Sequence, residues 1–480
     1  MSAMGTEQAG TRAERDSLGT REVPVDAYWG ISTLRAVENF PVSGRPVGGL
    51  RELVRAYGEV KAAAARANES LGLLEATRSA AIQDACQDVV DGRLDGQFVV
   101  DRIQGGAGTS TNMNINEVIA NRALELLGHA KGDYAHVNPI DDVNRSQSTN
   151  DTYPTAVKVA LHRELEQLCE EHALLTGAFR DKAEQFRNIV KVGRTQLQDA
   201  VPMTLGQEFA AFADTLEEDR HRLREVLPHL REINLGATAI GTGITAPAGY
   251  REAVVQQLGA LTGLDLVSAV NLVEATSDTG VFLLASGVLK RAAVKLSKIC
   301  NDLRLLSSGP QAGFGEIQLP AVQAGSSIMP GKVNPVIPEM VNQVAFRIVG
   351  ADATVTMAAE AGQLQLNAFE PVMADALLES VQWLRAACQT LRERCVNGIK
   401  PNEPLLGRRM DESLSVVTGL TPLLGYAAAA ALAKEALAEG RSIAELVREQ
   451  GLLNHEDLSQ ALSLEKLVGL TSAVVRSQSL

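Results

Sequence analysis

Between Phe282 and Leu306, eight apolar residues (Phe282, Ala285, Leu289, Ala292, Leu296, Ile299, Leu303 and Leu306) follow one another at alternating spacings of three and four. A 3.6-residue period puts all eight on one stripe, which constrains the segment to a long helix buried along one side. At about 1.5 Å per residue it extends roughly 40 Å, and no proline lies between Pro247 and Pro310 to interrupt it. The pattern recurs at Leu161, Leu165, Leu168, His172, Leu175, Phe179 and Phe186, and again at Phe209, Phe212, Leu216, Leu223, Leu230 and Ile233. Stretches over 339–360 and 371–397 complete a set of five. Helices patterned in this way pack at shallow angles into bundles. The expected architecture is mainly α: a central five-helix bundle domain over 147–401, a mainly helical N-terminal domain over 1–146 and a small helical C-terminal domain over 402–480. The apolar faces exceed what one chain can cover, which favours a homo-oligomer. His172 falls on a core stripe and reads as a packing residue, and Glu217-Glu218-Asp219 reads as a solvated helix face.

The chain has 480 residues, 45% of them apolar and 21% charged, enough for about three domains around a large core. A net charge of −13 argues against nucleic acid or an anionic membrane as partner, since both require a basic face. Met1 to Asp16 lacks an apolar core of the signal-peptide kind and reads as a loose tail. The uncharged run Ser413–Ala433 has the length of a membrane span, but Gly419, Pro422 and Gly425 break it, and a packed helical hairpin is the better reading. Cys86, Cys169, Cys300, Cys388 and Cys395 form no CxxC pair and read as reduced, packing thiols of a cytoplasmic protein. The histidines show no metal-ligand spacing, and no metal site is assigned.

Chemistry concentrates in the loop Ala324-Gly-Ser-Ser-Ile-Met-Pro-Gly-Lys-Val-Asn-Pro335, which sets two hydroxyls, a cation and an amide on a short segment punctuated by Gly325, Pro330 and Gly331. Its parts suit a lid over a small anion. It is no phosphate-binding P-loop, because five residues separate the glycines and Val333 follows Lys332. Gly106-Ala-Gly108 lacks the third glycine of a dinucleotide fingerprint and is followed by hydroxyls instead. Thr109, Ser148, Thr149 and Asn150 are small donors grouped just before expected helices. They can surround a carboxylate without adding charge, as is needed when a proton leaves the adjacent carbon and the carboxylate becomes a dianion. The glycine-rich run Gly236–Gly249 is expected to turn near this site.

The Ala324–Pro335 loop resembles the signature loop of the aspartase/fumarase superfamily. Gly105–Asn114, Asn144–Asp151 and Gly193–Pro202 resemble its other blocks, in the same order. The likeness runs from about Leu18 to the C-terminus and is weakest beyond about Leu405. It implies a homotetramer with a 20-helix core whose active sites each draw on three subunits. It also implies that Ser326 is the base, with Ser327 holding the β-carboxylate as it becomes enolate-like, and that Lys332, Asn334 and Thr195 bind the α-carboxylate. Glu339 resembles the family glutamate that positions the lysine, although its place also suits a plain helix N-terminal acid.

The leaving group turns on Gln196 and Asn138, which stand where fumarases of this superfamily carry histidines. Glutamine cannot titrate, but it can orient an ammonium group. Gly193–Gly206 and Ala361–Pro371 resemble the aspartate ammonia-lyase branch. The expected activity is therefore reversible anti elimination of ammonia from L-aspartate to give fumarate, with Asn150, Thr109, Ser148 and Gln196 around the amino group. No organic cofactor is implied. A divalent cation such as magnesium is expected only as an activator, by likeness. Three alternatives remain: a class II fumarase acting on L-malate, a lyase for a larger aspartate derivative, and a non-catalytic helical assembly protein derived from such a lyase. Leu420–Gly440 departs from the family in its alanine-rich composition, which bears on regulation.

Overall fold

The computed structural model describes residues 10–469. In chain order it contains a hairpin of β1 (Thr11–Asp16) and β2 (Gly19–Pro24), then α1 (Ile31–Asn39), α2 (Arg51–Ser70), α3 (Ala76–Val90), α4 (Thr109–Leu126) and α5 (Thr149–Gln185). A second hairpin, β3 (Val190–Thr195) and β4 (Gln198–Thr204), precedes α6 (Leu205–Val226), α7 (Tyr250–Thr262), α8 (Leu272–Ser277), α9 (Gly280–Leu306), α10 (Val336–Glu360) and α11 (Glu370–Arg394). The described C-terminal part holds α12 (Glu403–Glu412), α13 (Val417–Leu424), α14 (Tyr426–Glu439), α15 (Ile443–Glu449), α16 (His455–Ala461) and α17 (Leu464–Leu467). The five longest helices, α5, α6, α9, α10 and α11, are those expected from the apolar spacing. All eight stripe residues of α9 are buried. Among the described residues no helix is long and apolar enough to cross a membrane.

The chain divides into two compact units, one of residues 1–170, 220–293 and 345–385, the other of 171–219, 294–344 and 386–480. In the first, α2 packs on α3 and α7, and α3 packs on α4. Arg385 pairs with Glu164, while Lys290 and Ser286 both reach Asp352. The second unit holds an aromatic cluster of Phe179, Phe186, Phe209 and Phe212 with ring centroids 5.2–6.0 Å apart. It also holds the helical hairpin α13–α14, around a core that includes Leu420, Leu432, Leu446 and Leu458. The expected packing of Ser413–Ala433 is found there.

Two expectations are corrected. The N-terminal segment is not a loose tail from Thr11 onward; residues 1–9 lie outside those described. Arg12 donates to the carbonyls of Pro24, Val25, Ala27 and Trp29 and pairs with Glu14, and Glu14 accepts from Ile31 N at 2.9 Å at the start of α1. A buried carboxylate at a helix N-terminus and a guanidinium shared among carbonyls fix the strand despite its polar sequence. Nor is Glu217-Glu218-Asp219 wholly solvated. Asp219 is fully buried 3.6 Å from Lys295, which also meets Glu218 at 2.9 Å. All five cysteines are buried free thiols, and His172 is buried in the core.

Candidate active site

A cavity of about 360 Å³ opens at the N-terminus of α5, lined by Asn112, Met113, Ile140, Asn144, Gln147, Ser148, Thr149, Thr238, Ala239, Ile244 and Thr245. The local sequence explains its wall. Ser148-Thr149-Asn150-Asp151 caps the helix start: Ser148 Oγ accepts from Asn150 N at 3.2 Å, and Asp151 Oδ1 accepts from Ser148 N at 3.0 Å. The second oxygen of Asp151 accepts from Thr238 N at 2.9 Å and Gly236 N at 3.2 Å, which stitches the glycine-rich run to the helix. Pro154, one turn in, cannot donate to the carbonyl of Asn150. Asn234 Nδ2 takes that carbonyl instead, at 3.0 Å.

Beneath the cavity a polar chain fixes the donors. Lys61, fully buried, donates to Asn144 Oδ1 at 3.0 Å and Gln147 Oε1 at 2.9 Å. Asn112 Nδ2 donates to Asn144 Oδ1 and to Thr149 Oγ, each at 3.1 Å, while its own oxygen accepts from Thr152 Oγ at 3.3 Å. The Asn112 amide is therefore held in one orientation. Burial pushes Lys61 down to about 7, opposed by the charge of Asp151. Burial likewise pushes Asp151 up to about 7, opposed by the backbone donors and by Lys61. Both groups are buried, and each opposes the shift that burial imposes on the other.

Ser148 and Thr149 line this cavity. Thr109 stands at the exposed first position of α4, and the Asn150 amide is committed to the carbonyl of Ala239 at 2.7 Å, so neither lines it. The sequence reading missed Lys61, Asn112, Asn144, Gln147 and Thr238. Asn112 and Asn144 lie inside the quoted blocks, and their amides were a usable signal. Lys61 sits in an alanine-rich helix 83 residues from Asn144, and only the fold brings it there.

The second unit carries the remaining candidates. Thr195 and Gln196 are exposed at the tip of the β3–β4 hairpin, where Thr195 pairs with Gln198. The two turn residues, Gln196 and Leu197, have φ of +54° and +64°, values that a tight primed turn demands and that cost energy without glycine. The hairpin is braced by a buried cluster. Lys191 lies 2.7 Å from both Glu208 and Glu316, and Arg194 lies 2.5 Å from Glu316. Burial alone would raise the Glu316 carboxyl, but Arg194 and Lys191 hold it below the usual range.

The Ser326 loop is exposed and irregular, closed by its own bonds. Gly325 N donates to Lys332 O at 2.9 Å, and Asn334 Nδ2 donates to Gly325 O at 2.6 Å. A side chain at Gly325 would meet Lys332 O at 2.3 Å, so only glycine permits this closure. Ser326 Oγ accepts from Ile328 N at 3.1 Å and Met329 N at 2.9 Å, two donors aimed at the oxygen that would carry charge as a base. Ser327 and Lys332 are exposed. Glu339 lies in the first turn of α10, and among the described residues no ion pair joins it to Lys332. Six of the seven described non-glycine residues with positive φ (Ala107, Ser146, Gln196, Leu197, Thr238 and Thr245) fall in or beside the candidate segments, the clustering expected where strain serves a site.

Residues 19–350 match the family model described as "Lyase", and residues 416–469 match "Fumarase C C-terminus". The chain is 55% identical to aspartate ammonia-lyase of Pseudomonas aeruginosa (strain PAO1) over 461 residues, covering 96% of this chain and 97% of that protein. It is 51% identical to aspartate ammonia-lyase of Escherichia coli (strain K12), covering 95% and 96%. Among solved structures, a fumarate lyase:delta crystallin from Brucella melitensis bound to cobalt superposes with a TM-score of 0.93 at 56% identity, covering 95% of this chain and 99% of that one. Class II fumarase from Schistosoma mansoni superposes with a TM-score of 0.90 at 34% identity, covering 95% and 98%. The chain belongs to the lyase family in which aspartate ammonia-lyases and class II fumarases share one fold, the aspartase/fumarase superfamily.

Proposed function

We propose that this protein is a carbon–nitrogen lyase that reversibly deaminates L-aspartate to fumarate and ammonia. The observation that carries this reading is near-full-length identity of 51–55% to aspartate ammonia-lyases of several bacteria. Gln196 and Asn138 agree with it, since neither can titrate where a hydration reaction would use histidine.

In the proposed reaction Ser326 removes the proton from the carbon beside the β-carboxylate, and the amides of Ile328 and Met329 stabilise the alkoxide. Ser327 then holds the β-carboxylate as it becomes an aci-carboxylate dianion. Lys332, Asn334 and Thr195 take the α-carboxylate. Ser148, Thr149, Asn150 and Thr109, with Gln196, surround the amino group until ammonia leaves anti to the proton. The polar groups at the start of α5 are held in place by their own hydrogen bonds before the amino group arrives.

A homotetramer sharing its sites among subunits completes the reading. Phe346, Val349 and Met357 on α10 are 67%, 41% and 73% exposed, an apolar row that a partner helix would cover. The proposed compartment is the cytoplasm, in keeping with five reduced thiols. No organic cofactor is needed for the chemistry. A divalent cation such as magnesium as activator rests on likeness alone. No step is assigned to it.

The test is fumarate formation, followed by ultraviolet absorbance, with L-aspartate and L-malate supplied separately. Fumarate from aspartate alone is expected. Fumarate from malate alone would replace the reading with a fumarase, and silence on both would leave an adduct lyase or a non-catalytic assembly.

A further inference from the structure

The loop between α4 and Asn138 carries side chains that the reaction does not use. Its backbone is closely tied: His129 N donates to Leu124 O at 2.9 Å, Gly132 N to Asn121 Oδ1 at 2.7 Å, and His136 N to Asp133 O at 3.1 Å. Gly128 and Gly132, with φ of +81° and +86°, turn the chain twice. As a result the imidazoles of His129 and His136 stack with centroids 3.7 Å apart, and one carboxylate faces both rings. Asp133 Oδ2 lies 3.9 Å from His129 Nδ1 and 3.6 Å from His136 Nε2. The three ligand atoms all fall within 4.8 Å of one another. Around a tetrahedral zinc ion with bonds near 2.0–2.2 Å, ligand atoms sit about 3.4 Å apart, so rotating the imidazoles out of their stack until both ring nitrogens face Asp133 would close the site.

We propose that His129, Asp133 and His136 bind a borderline-soft divalent metal ion such as zinc or cobalt, outside the catalytic machinery. Two imidazoles and a carboxylate suit this class and disfavour magnesium or calcium, which prefer oxygen. The nearest cation in the loop, Lys131, is turned away, donating to Asp26 O at 2.9 Å and lying over the Tyr28 ring. The spacing H-x3-D-x2-H matches no common zinc signature, and it took the two glycine turns to bring the ligands together. The ion would tie the segment entering the cavity wall. Asn138, two residues past His136, accepts from Ile140 N at 2.8 Å and Asp141 N at 3.0 Å, and Ile140 and Asn144 line the cavity.

The test uses the tag-free full chain, titrated calorimetrically with zinc chloride and, separately, with cobalt(II) followed by visible absorption. One zinc ion per chain is expected, along with cobalt bands of low-coordinate geometry and a higher melting temperature with zinc, since the ion binds the folded state. The double variant His129→Ala/His136→Ala should lose the bands and the zinc isotherm while keeping its circular dichroism. Asp133→Asn, a milder change, should weaken zinc binding and shift the cobalt spectrum. Absence of binding to the parent would overturn the proposal. So would unchanged affinity in Asp133→Asn, parent-like binding by the double variant, or displacement of cobalt by equimolar magnesium.

Discussion

The donors at the start of α5 and the loop that carries Ser326 are built on opposite principles. Around α5, Lys61, Asn112, Asn144, Gln147, Thr149 and Asp151 are bonded to one another or to backbone, and most are buried. In the loop, Ser326 and Asn334 bond only within their own segment, Lys332 is exposed, and Ile328 presents 86% of its surface to solvent. The difference separates two tasks. The groups proposed to hold the amino group are placed in a rigid wall. The proposed base, Ser326, sits on a segment whose geometry depends on few neighbours, as suits a group that would reach a carbon acid and then release product.

Variants can break or sharpen this contrast. Ser326→Ala should lower kcat about a thousandfold, the range for loss of a positioned base, with melting temperature and assembly unchanged; near-parental turnover would remove Ser326 from the mechanism. Lys61→Met should cost about 2 kcal/mol of stability by stranding Asn144 and Gln147, and should also raise KM. A variant that melts with the parent in calorimetry would mean the wall is not held by this lysine. Lys332→Ala should leave stability alone and raise KM roughly thirtyfold, about 2 kcal/mol of charge-assisted binding. If instead it melted early while Lys61→Met did not, the contrast would be inverted.

A pH-linked test concerns Glu370 at the start of α11, which burial pushes up to about 8 despite Lys158. Unfolded, it loses its proton near 4.5; folded, it keeps it to about 8. Its contribution to stability is therefore greatest below pH 4.5 and declines as pH rises toward 8. Glu370→Gln cannot titrate, so the melting temperature of this variant should gain on the parent as pH rises through that window. A constant gap would show that Glu370 is ionised in the fold.

The long helices were legible because one period governs the side chains that bury them, and Phe282–Leu306 shows this over its full length. Ser148 and Thr149 were legible because small hydroxyl residues grouped just before an expected helix are a local signal. Lys61 was not, since a lysine in an alanine-rich helix is indistinguishable from a solvated one until the fold puts Asn144 over it. Asp219 was misread for the same reason: its partner Lys295 lies 76 positions away. The strand at Thr11 escaped notice because its stability comes from one arginine reaching four carbonyls, a long-range arrangement with no periodic trace.

Pro154 acts beyond its own helix. By withholding one amide from α5, it leaves the carbonyl of Asn150 to Asn234, and the start of the helix becomes bound to the glycine-rich run. The helix is locally weaker so that two distant pieces of chain share one fate. A residue that restored the intrahelical bond would make a more regular helix and a less coordinated cavity, because loop and helix could then shift independently.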